Sequence, residues 1–182
     1  KPWQRPNMAR VGRLSALIEE LLASSAEAVE RLTTIPGVSQ RVAETLVGEV
    51  GTDVKAFASA GHLATWAGLC PGNNESAGKR RSGRTNKGNR WLRRALVEAA
   101  WAASHTKNTY VSSQYRRLAK RRGRKRALLA VGHSLLEVVY HVLQRGTTYQ
   151  ELGADYLDRL EPERLTRHLV KRLESLGHKV TL

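Results

Sequence analysis

Between Glu75 and Arg94 a serine, Ser76, stands in a glycine-punctuated stretch followed by eight cationic residues: Lys79, Arg80, Arg81, Arg84, Lys87, Arg90, Arg93 and Arg94. Lys and Arg neutralise phosphate charge and release counterions, and glycines let backbone N–H groups approach an anion closely. A hydroxyl beside such a cradle is a candidate nucleophile for a phosphodiester. Ser82, between Arg81 and Gly83, is its rival. Glu75 is the sole carboxylate of the segment and no histidine lies within it, which suits phosphoryl transfer by cationic stabilisation better than a Ser-His-Asp hydrolase. His105 reads as a helix-end residue.

A second cluster, Arg116, Arg117, Lys120, Arg121, Arg122, Arg124, Lys125 and Arg126, follows. The formal net charge is +15 over 182 residues, and from Ser76 to Leu136 the only acid is Glu98. So dense a run of one sign repels itself unless a polyanion is near, so DNA or RNA backbone is the expected partner. A membrane is not expected, because the basic runs carry no separate apolar insertion face. Tyr110 and Tyr115 precede the second cluster and could stack on bases, but helix packing is the favoured reading, as core packing is for Trp91 and Trp101. The single cysteine, Cys70, excludes an internal disulfide and a thiolate metal cluster within one chain. It points to a reducing compartment, the cytoplasm. The histidines form no i,i+4 pair, and Asp155 with Asp158 reads as a solvated edge rather than a Mg2+ site. The start at Lys1-Pro-Trp-Gln has no signal-peptide pattern and no initiating methionine, which suggests a piece of a longer protein.

The elements that must position these residues are helical. Val11, Leu14, Leu17, Ile18, Leu21 and Leu22, continued by Ala28, Val29 and Leu32, predict one long amphipathic helix over about 9–32, packed on its own domain, with a coiled-coil arm as the alternative. Pro36 and Gly37 break it, and Ser39 caps a helix with Val42, Ala43, Leu46, Val47 and Val50 on its buried face. Pro36, Gly37, Val38 and Ser39 resemble the turn of a helix-hairpin-helix motif, in which unpaired N–H groups at a helix N-terminus hold a DNA phosphate. A simple tight turn between packed helices would look similar. Ser59 caps a short helix that Pro71-Gly-Asn-Asn74 stops, and helices are expected over about 87–104, 107–121 and 125–144, the last being the most buried. The tail carries acids at Asp155, Asp158, Glu161 and Glu163, a helix over about 165–176, and a closing His178–Leu182 that could form a short strand. The expectation is an all-α chain with an arm (1–32), a central domain (33–146) and a helical tail (147–182).

Five features then coincide in order: Ile35-Pro-Gly-Val38; Ala64-Thr-Trp-Ala-Gly-Leu-Cys-Pro71; Ser76-Ala-Gly-Lys79; Lys87-Gly-Asn-Arg-Trp-Leu-Arg-Arg94; and the closing Ala-rich and Leu-rich helices. Together, from Leu32 to about Asp158, they resemble the C-terminal domain of the insertion-sequence 110/116/902 family of transposases. The resemblance implies a DNA recombinase in which this half supplies a serine nucleophile, matched here by Ser76. A RuvC-like N-terminal half, not found before Lys1, would supply metal-binding acids for Mg2+. The implied step is attack of Ser76 on a phosphodiester, giving a phosphoserine link and a free 3′-hydroxyl, with Lys79, Arg80, Arg81 and Arg84 stabilising the charge. Assembly of several copies on DNA and guidance by an RNA are implied as well. The alternative function is a noncatalytic helix-hairpin-helix module that binds nucleic acid, and a structural RNA-associated protein is a third.

Overall fold

The structure, a computed structural model, describes residues 8–72 and 74–181. Lys1–Asn7, Asn73 and Leu182 lie outside the described residues, as do the side chains of Met8, Ala9, Arg10, Asn74, Arg80 and Arg81. The helices are α1 (Met8–Leu21), α2 (Ala26–Thr33), α3 (Gln40–Val50), α4 (Ala60–Trp66), α5 (Arg90–His105), α6 (Tyr110–Arg122), α7 (Arg124–Arg145), α8 (Tyr156–Leu160) and α9 (Pro162–Ser175). Between α4 and α5 two short strands, β1 (Asn74–Ser76) and β2 (Lys79–Ser82), pair antiparallel. The fold is therefore all-α with one small hairpin inserted.

The expected single helix over 9–32 is broken. A 3-10 turn at Ala23–Ser25 separates α1 from α2. Two consecutive serines are weak helix formers because their hydroxyls compete for backbone groups, and the break lets α2 turn Ala28, Val29 and Leu32 into the core. On α1, by contrast, Val11, Leu14, Leu17 and Leu21 are exposed, so most of that stripe does not pack on its own domain, although Leu22 at its end reaches the core.

The core is built around α7, which packs against α2, α4, α5 and α6. Val131, Leu135, Leu136 and Val139 are fully or almost fully buried on it. By length and composition alone α7 could cross a membrane, but its apolar face is the centre of this bundle. On α5 the buried face is Leu92, Ala95, Leu96, Ala99, Ala100 and Ala103. Small residues there let other backbones come close: a Cβ on Gly37 would sit 2.3 Å from the Ala99 carbonyl oxygen and 2.7 Å from the Ala103 Cβ. From the other side, Gly132 of α7 is packed so that a Cβ on it would lie 3.5 Å from the Leu96 carbonyl oxygen.

The tail folds back onto this bundle. The Tyr149 N–H donates to Thr34 Oγ1 (2.9 Å), and Glu151 Oε1 accepts from the Tyr110 N–H (2.7 Å). Burial, then the Glu151 carboxylate, pushes the Tyr149 phenol far above its ordinary value. Tyr110 packs edge-on to Tyr156, with its phenol raised mainly by burial. No residue of α9 is buried. Residues 178–181, which the sequence left free to form a short strand, are in neither helix nor strand.

Two glycines should respond oppositely to alanine. Gly37 has φ of 84° and no room for a Cβ, so Gly37→Ala should lower stability by roughly 2–4 kcal/mol, as strain and clash add. Gly48 lies inside α3, and a Cβ there would meet nothing within 4 Å, so Gly48→Ala should raise stability by about 0.5–1 kcal/mol. Urea unfolding midpoints of the two variants check both signs.

Candidate nucleic-acid interface

The stretch expected as a loop around Ser76 is a hairpin. Its turn is two residues, Ala77 (φ 50°) and Gly78 (φ 73°), both left-handed. That is the turn family whose twist matches paired strands. Glycine adopts it freely, whereas Ala77 costs about 1–2 kcal/mol there. Ser76 and Lys79 flank the turn as register partners, which puts their side chains on one face with Cβ atoms about 5 Å apart. Both are exposed. Glu75 is paired in register with Arg80, and strand alternation turns it to the face opposite Ser76, so it is not a base for that hydroxyl.

A two-stranded hairpin is marginal alone; this one is held at its base. The Gly72 N–H donates to the Arg84 carbonyl (3.0 Å), and Pro71 bridges Thr85. Thr85 Oγ1 in turn accepts from the Arg93 guanidinium of α5. Ser82 is half-buried, and its Oγ accepts from the Arg84 N–H at 3.1 Å. It is thus a turn-forming hydroxyl. The Ser76 hydroxyl makes no hydrogen bond among the described residues.

One glycine of the Glu75–Arg94 stretch, Gly88, serves packing rather than the anion approach suggested by the sequence, as does Gly72 just before it. A Cβ on Gly88 would lie 2.3 Å from the Gly68 nitrogen, and one on Gly72 would lie 2.7 Å from the Arg84 carbonyl oxygen. The backbone crossing at Gly68 and Gly88 leads the chain directly into α5. There Asn89 caps the helix, its Oδ1 accepting from the Trp91 and Leu92 N–H groups at 3.0 Å each. Its Nδ2 donates to Glu49 Oε2 of α3 at 2.5 Å. Asn89 and Glu49 were not singled out from the sequence, although an asparagine directly before an apolar helical repeat is a recognisable cap.

From this capped start, Arg90, Arg93, Arg94 and Val97 of α5 and Lys87 and Gly88 of the preceding loop line an open groove of about 550 Å³. Lys79, Arg84, Lys87, Arg90 and Arg94 are exposed. The second cluster gathers at the corner between α6 and α7, where Gly123 (φ 82°) makes the turn. From Lys120 to Arg126 its cations lie on the surface of that corner, with Arg116 and Arg117 one turn back on α6. Its charge is not wholly without counter-charge, as the sequence suggested: Asp158, brought by α8, pairs with Arg117. The first turn of α7 holds no acid. Cations at that positive helix end oppose its dipole by about 0.3–1 kcal/mol each, an arrangement that a bound polyanion would reverse.

The Pro36–Ser39 turn is packed on one side. Ile35 and Val38 are buried and Gly37 leans on α5. Ser39 is exposed and caps α3, its Oγ accepting from the Val42 N–H at 3.4 Å. Tyr110 and Tyr115 pack against the core, as expected. Trp91 and Trp101 do not: they are 55% and 59% exposed, because the buried face of α5 is filled by its leucines and alanines. Cys70 is half-buried, near His133 (3.8 Å). No group of three or more metal-ligating side chains forms among the described residues.

Replacing Asn89 should show how α5 is anchored. Asn89→Ala should cost about 1–2 kcal/mol through the lost cap. Asn89→Asp, which keeps the capping oxygen but loses the donor to Glu49, should fall between it and the wild type in urea unfolding.

Similarity to known proteins falls on the same elements. The family model described as "Transposase IS116/IS110/IS902 family" matches residues 29–116, which run from α2 through the hairpin and the α5 groove to the start of the second cluster. The chain is 34% identical over 121 residues to the "Insertion element IS110 uncharacterized 43.6 kDa protein" of Streptomyces coelicolor, covering 65% of this chain and 29% of that protein. It is 32% identical over 138 residues to the "Transposase for insertion sequence element IS1111A" of Coxiella burnetii, covering 72% and 38%. A "Pilin gene-inverting protein" of Moraxella bovis is 28% identical over 123 residues, covering 66% and 38%. The chain thus spans between 29% and 38% of the length of these curated relatives. Over residues 29–116 the chain is thus similar to the IS116/IS110/IS902 transposases, and its longer matches are to proteins of insertion elements.

Proposed function

We propose that this chain is the DNA-binding, nucleophile-bearing part of an insertion-sequence transposase. The observation that carries the reading is the pairing of an exposed, unengaged Ser76 with Lys79 across a tight turn whose base is tied to the arginine groove of α5. The step balances simply. Ser76 Oγ attacks the phosphorus and loses its proton, the P–O3′ bond breaks, and the departing oxygen takes a proton as a free 3′-hydroxyl. Reversal with a different 3′-hydroxyl rejoins strands. Lys79, Arg80, Arg81 and Arg84 stabilise the phosphoryl oxygens during the transfer. The groove residues Lys87, Arg90, Arg93 and Arg94 and the α6–α7 cluster hold neighbouring phosphates, and the amides at the Ser39-capped start of α3, just after the Pro36–Val38 turn, receive one more.

The Mg2+ implied by the resemblance finds no fitting donors among the described residues. Glu75 is the one carboxylate beside Ser76 in sequence, and it faces away from it towards the Arg80 side of the hairpin. No step is routed through a metal. A RuvC-like half, a guide RNA and assembly of several copies belong to the same reading of the full-length protein.

The second reading, a noncatalytic nucleic-acid-binding module, is favoured by the absence of a base on the Ser76 face among the described residues. One experiment separates the two. In the full-length protein, Ser76→Ala should abolish strand exchange while DNA affinity is kept, and Ser82→Ala should retain exchange. Unchanged exchange in Ser76→Ala favours the binding module. Lys79→Ala should slow exchange by about 100- to 1,000-fold, the size expected for one lost transition-state donor.

A further inference from the structure

The exposed tryptophans of α5 stand in different surroundings. Trp91 follows the capped N-terminus, and the Arg90 guanidinium carbon lies 4.9 Å from its ring centroid. Arg90 also lines the groove, together with Arg93, Arg94 and Lys87. Arg94, three residues on, is its neighbour along the same helical side. Trp101 lies about 15 Å further along the axis, follows the acid Glu98 by three residues, and packs its ring against His105 (4.6 Å). Trp66 packs on Phe57 (5.5 Å). Among the described residues, Trp91 alone places an exposed indole in contact with a cation, Arg90, that lines a groove suited to phosphate.

Leaving such an indole in water forfeits the burial that α5 gives its leucines and alanines, and nothing in the bundle requires a tryptophan there. The surrounding charges disfavour an apolar protein partner, since docking one would desolvate Arg90 and Arg94 without a counter-ion. A nucleotide meets both demands, with its phosphate on the guanidinium groups and its base on the ring. A base inside a duplex has no free face, so the nucleotide must be unpaired.

We propose that Trp91 is a stacking platform for an unpaired nucleobase whose backbone phosphate lies in the Lys87–Arg90–Arg93–Arg94 groove. This rests on the nucleic-acid reading above and narrows it: the α5 face takes single-stranded or locally opened nucleic acid in preference to intact duplex. Arg90, already over the ring, extends the stack by holding the cationic edge of the site.

The test measures the affinity of this chain for an oligothymidine strand and for a duplex of equal phosphate count, at one salt concentration. Trp91→Ala should weaken single-strand binding by about 5- to 150-fold, the range for loss of one stacked base, and leave duplex binding unchanged. Trp91→Phe should retain most of the single-strand affinity. Trp91→Leu, which keeps apolar bulk without a π face, should behave as Trp91→Ala does and guards against a folding defect. Trp101→Ala should change neither affinity. Single-strand binding that survives Trp91→Ala and Trp91→Leu overturns the stacking site, as do equal losses on both nucleic acids, while the broader reading stands because the wild type binds. A wild type that binds neither strand nor duplex overturns both.

Discussion

Close approach to α5 is the constraint on which the rest of the structure depends. One face of that helix is lined by Ala95, Ala99, Ala100 and Ala103 beside Leu92 and Leu96, and glycines from two directions, Gly37 and Gly132, bring backbone against it. Interiors are close-packed, and at Gly37 the approach is so tight that an added methyl would force displacement, whereas at Gly132 it would meet α5 at ordinary van der Waals distance. The consequence is positional. With α3, its turn and α7 fixed on the small-residue face, the N-terminus of α5 has one orientation, locked by Asn89 to Glu49. The Gly68–Gly88 crossing and the Arg93–Thr85 bond then extend this rigidity to the hairpin that carries Ser76.

Electrostatics works in the opposite sense to packing. Apart from Arg93, which ties Thr85 at the hairpin base, the cations of the groove and of the α6–α7 corner take no part in the packing, and at the first turn of α7 they oppose the helix dipole. Asp158 offsets one of them. The remainder face water, so their mutual repulsion is moderated by solvent and salt but is not cancelled by acids among the described residues. Unfavourable charge kept on a rigid frame suits the polyanionic partner proposed above.

Much of the helical frame was legible in the residues. The buried periodicity of Val42, Ala43, Leu46 and Val47 in α3, and of Val131, Leu135, Leu136 and Val139 in α7, marked those helices and their inner faces. Three features were not legible, each for a physical reason. The hairpin rests on strands of three and four residues, too short for alternation to register, and its turn puts an alanine where glycine or asparagine would have announced it. The break between α1 and α2 has only the Ser24–Ser25 pair to announce it, a weak local signal that the apolar stripe continuing through it in sequence outweighs. In sequence α5 is apolar on more than one side, which favours core positions for Trp91 and Trp101, and only the filled leucine and alanine face shows that no space remains for them. Ser76 itself could be separated from Ser82 by resemblance alone; the Ser82–Arg84 hydrogen bond gives an independent physical distinction.

The reading of Ser76 as nucleophile is tested most directly by covalent chemistry. The full-length protein is incubated with its DNA substrate and quenched under denaturing conditions, and any protein–DNA adduct is mapped by mass spectrometry. The expected result is a phosphate ester on the peptide carrying Ser76, absent from Ser76→Ala and present in Ser82→Ala. An adduct on another residue, or strand exchange that proceeds with no adduct at all, would contradict it.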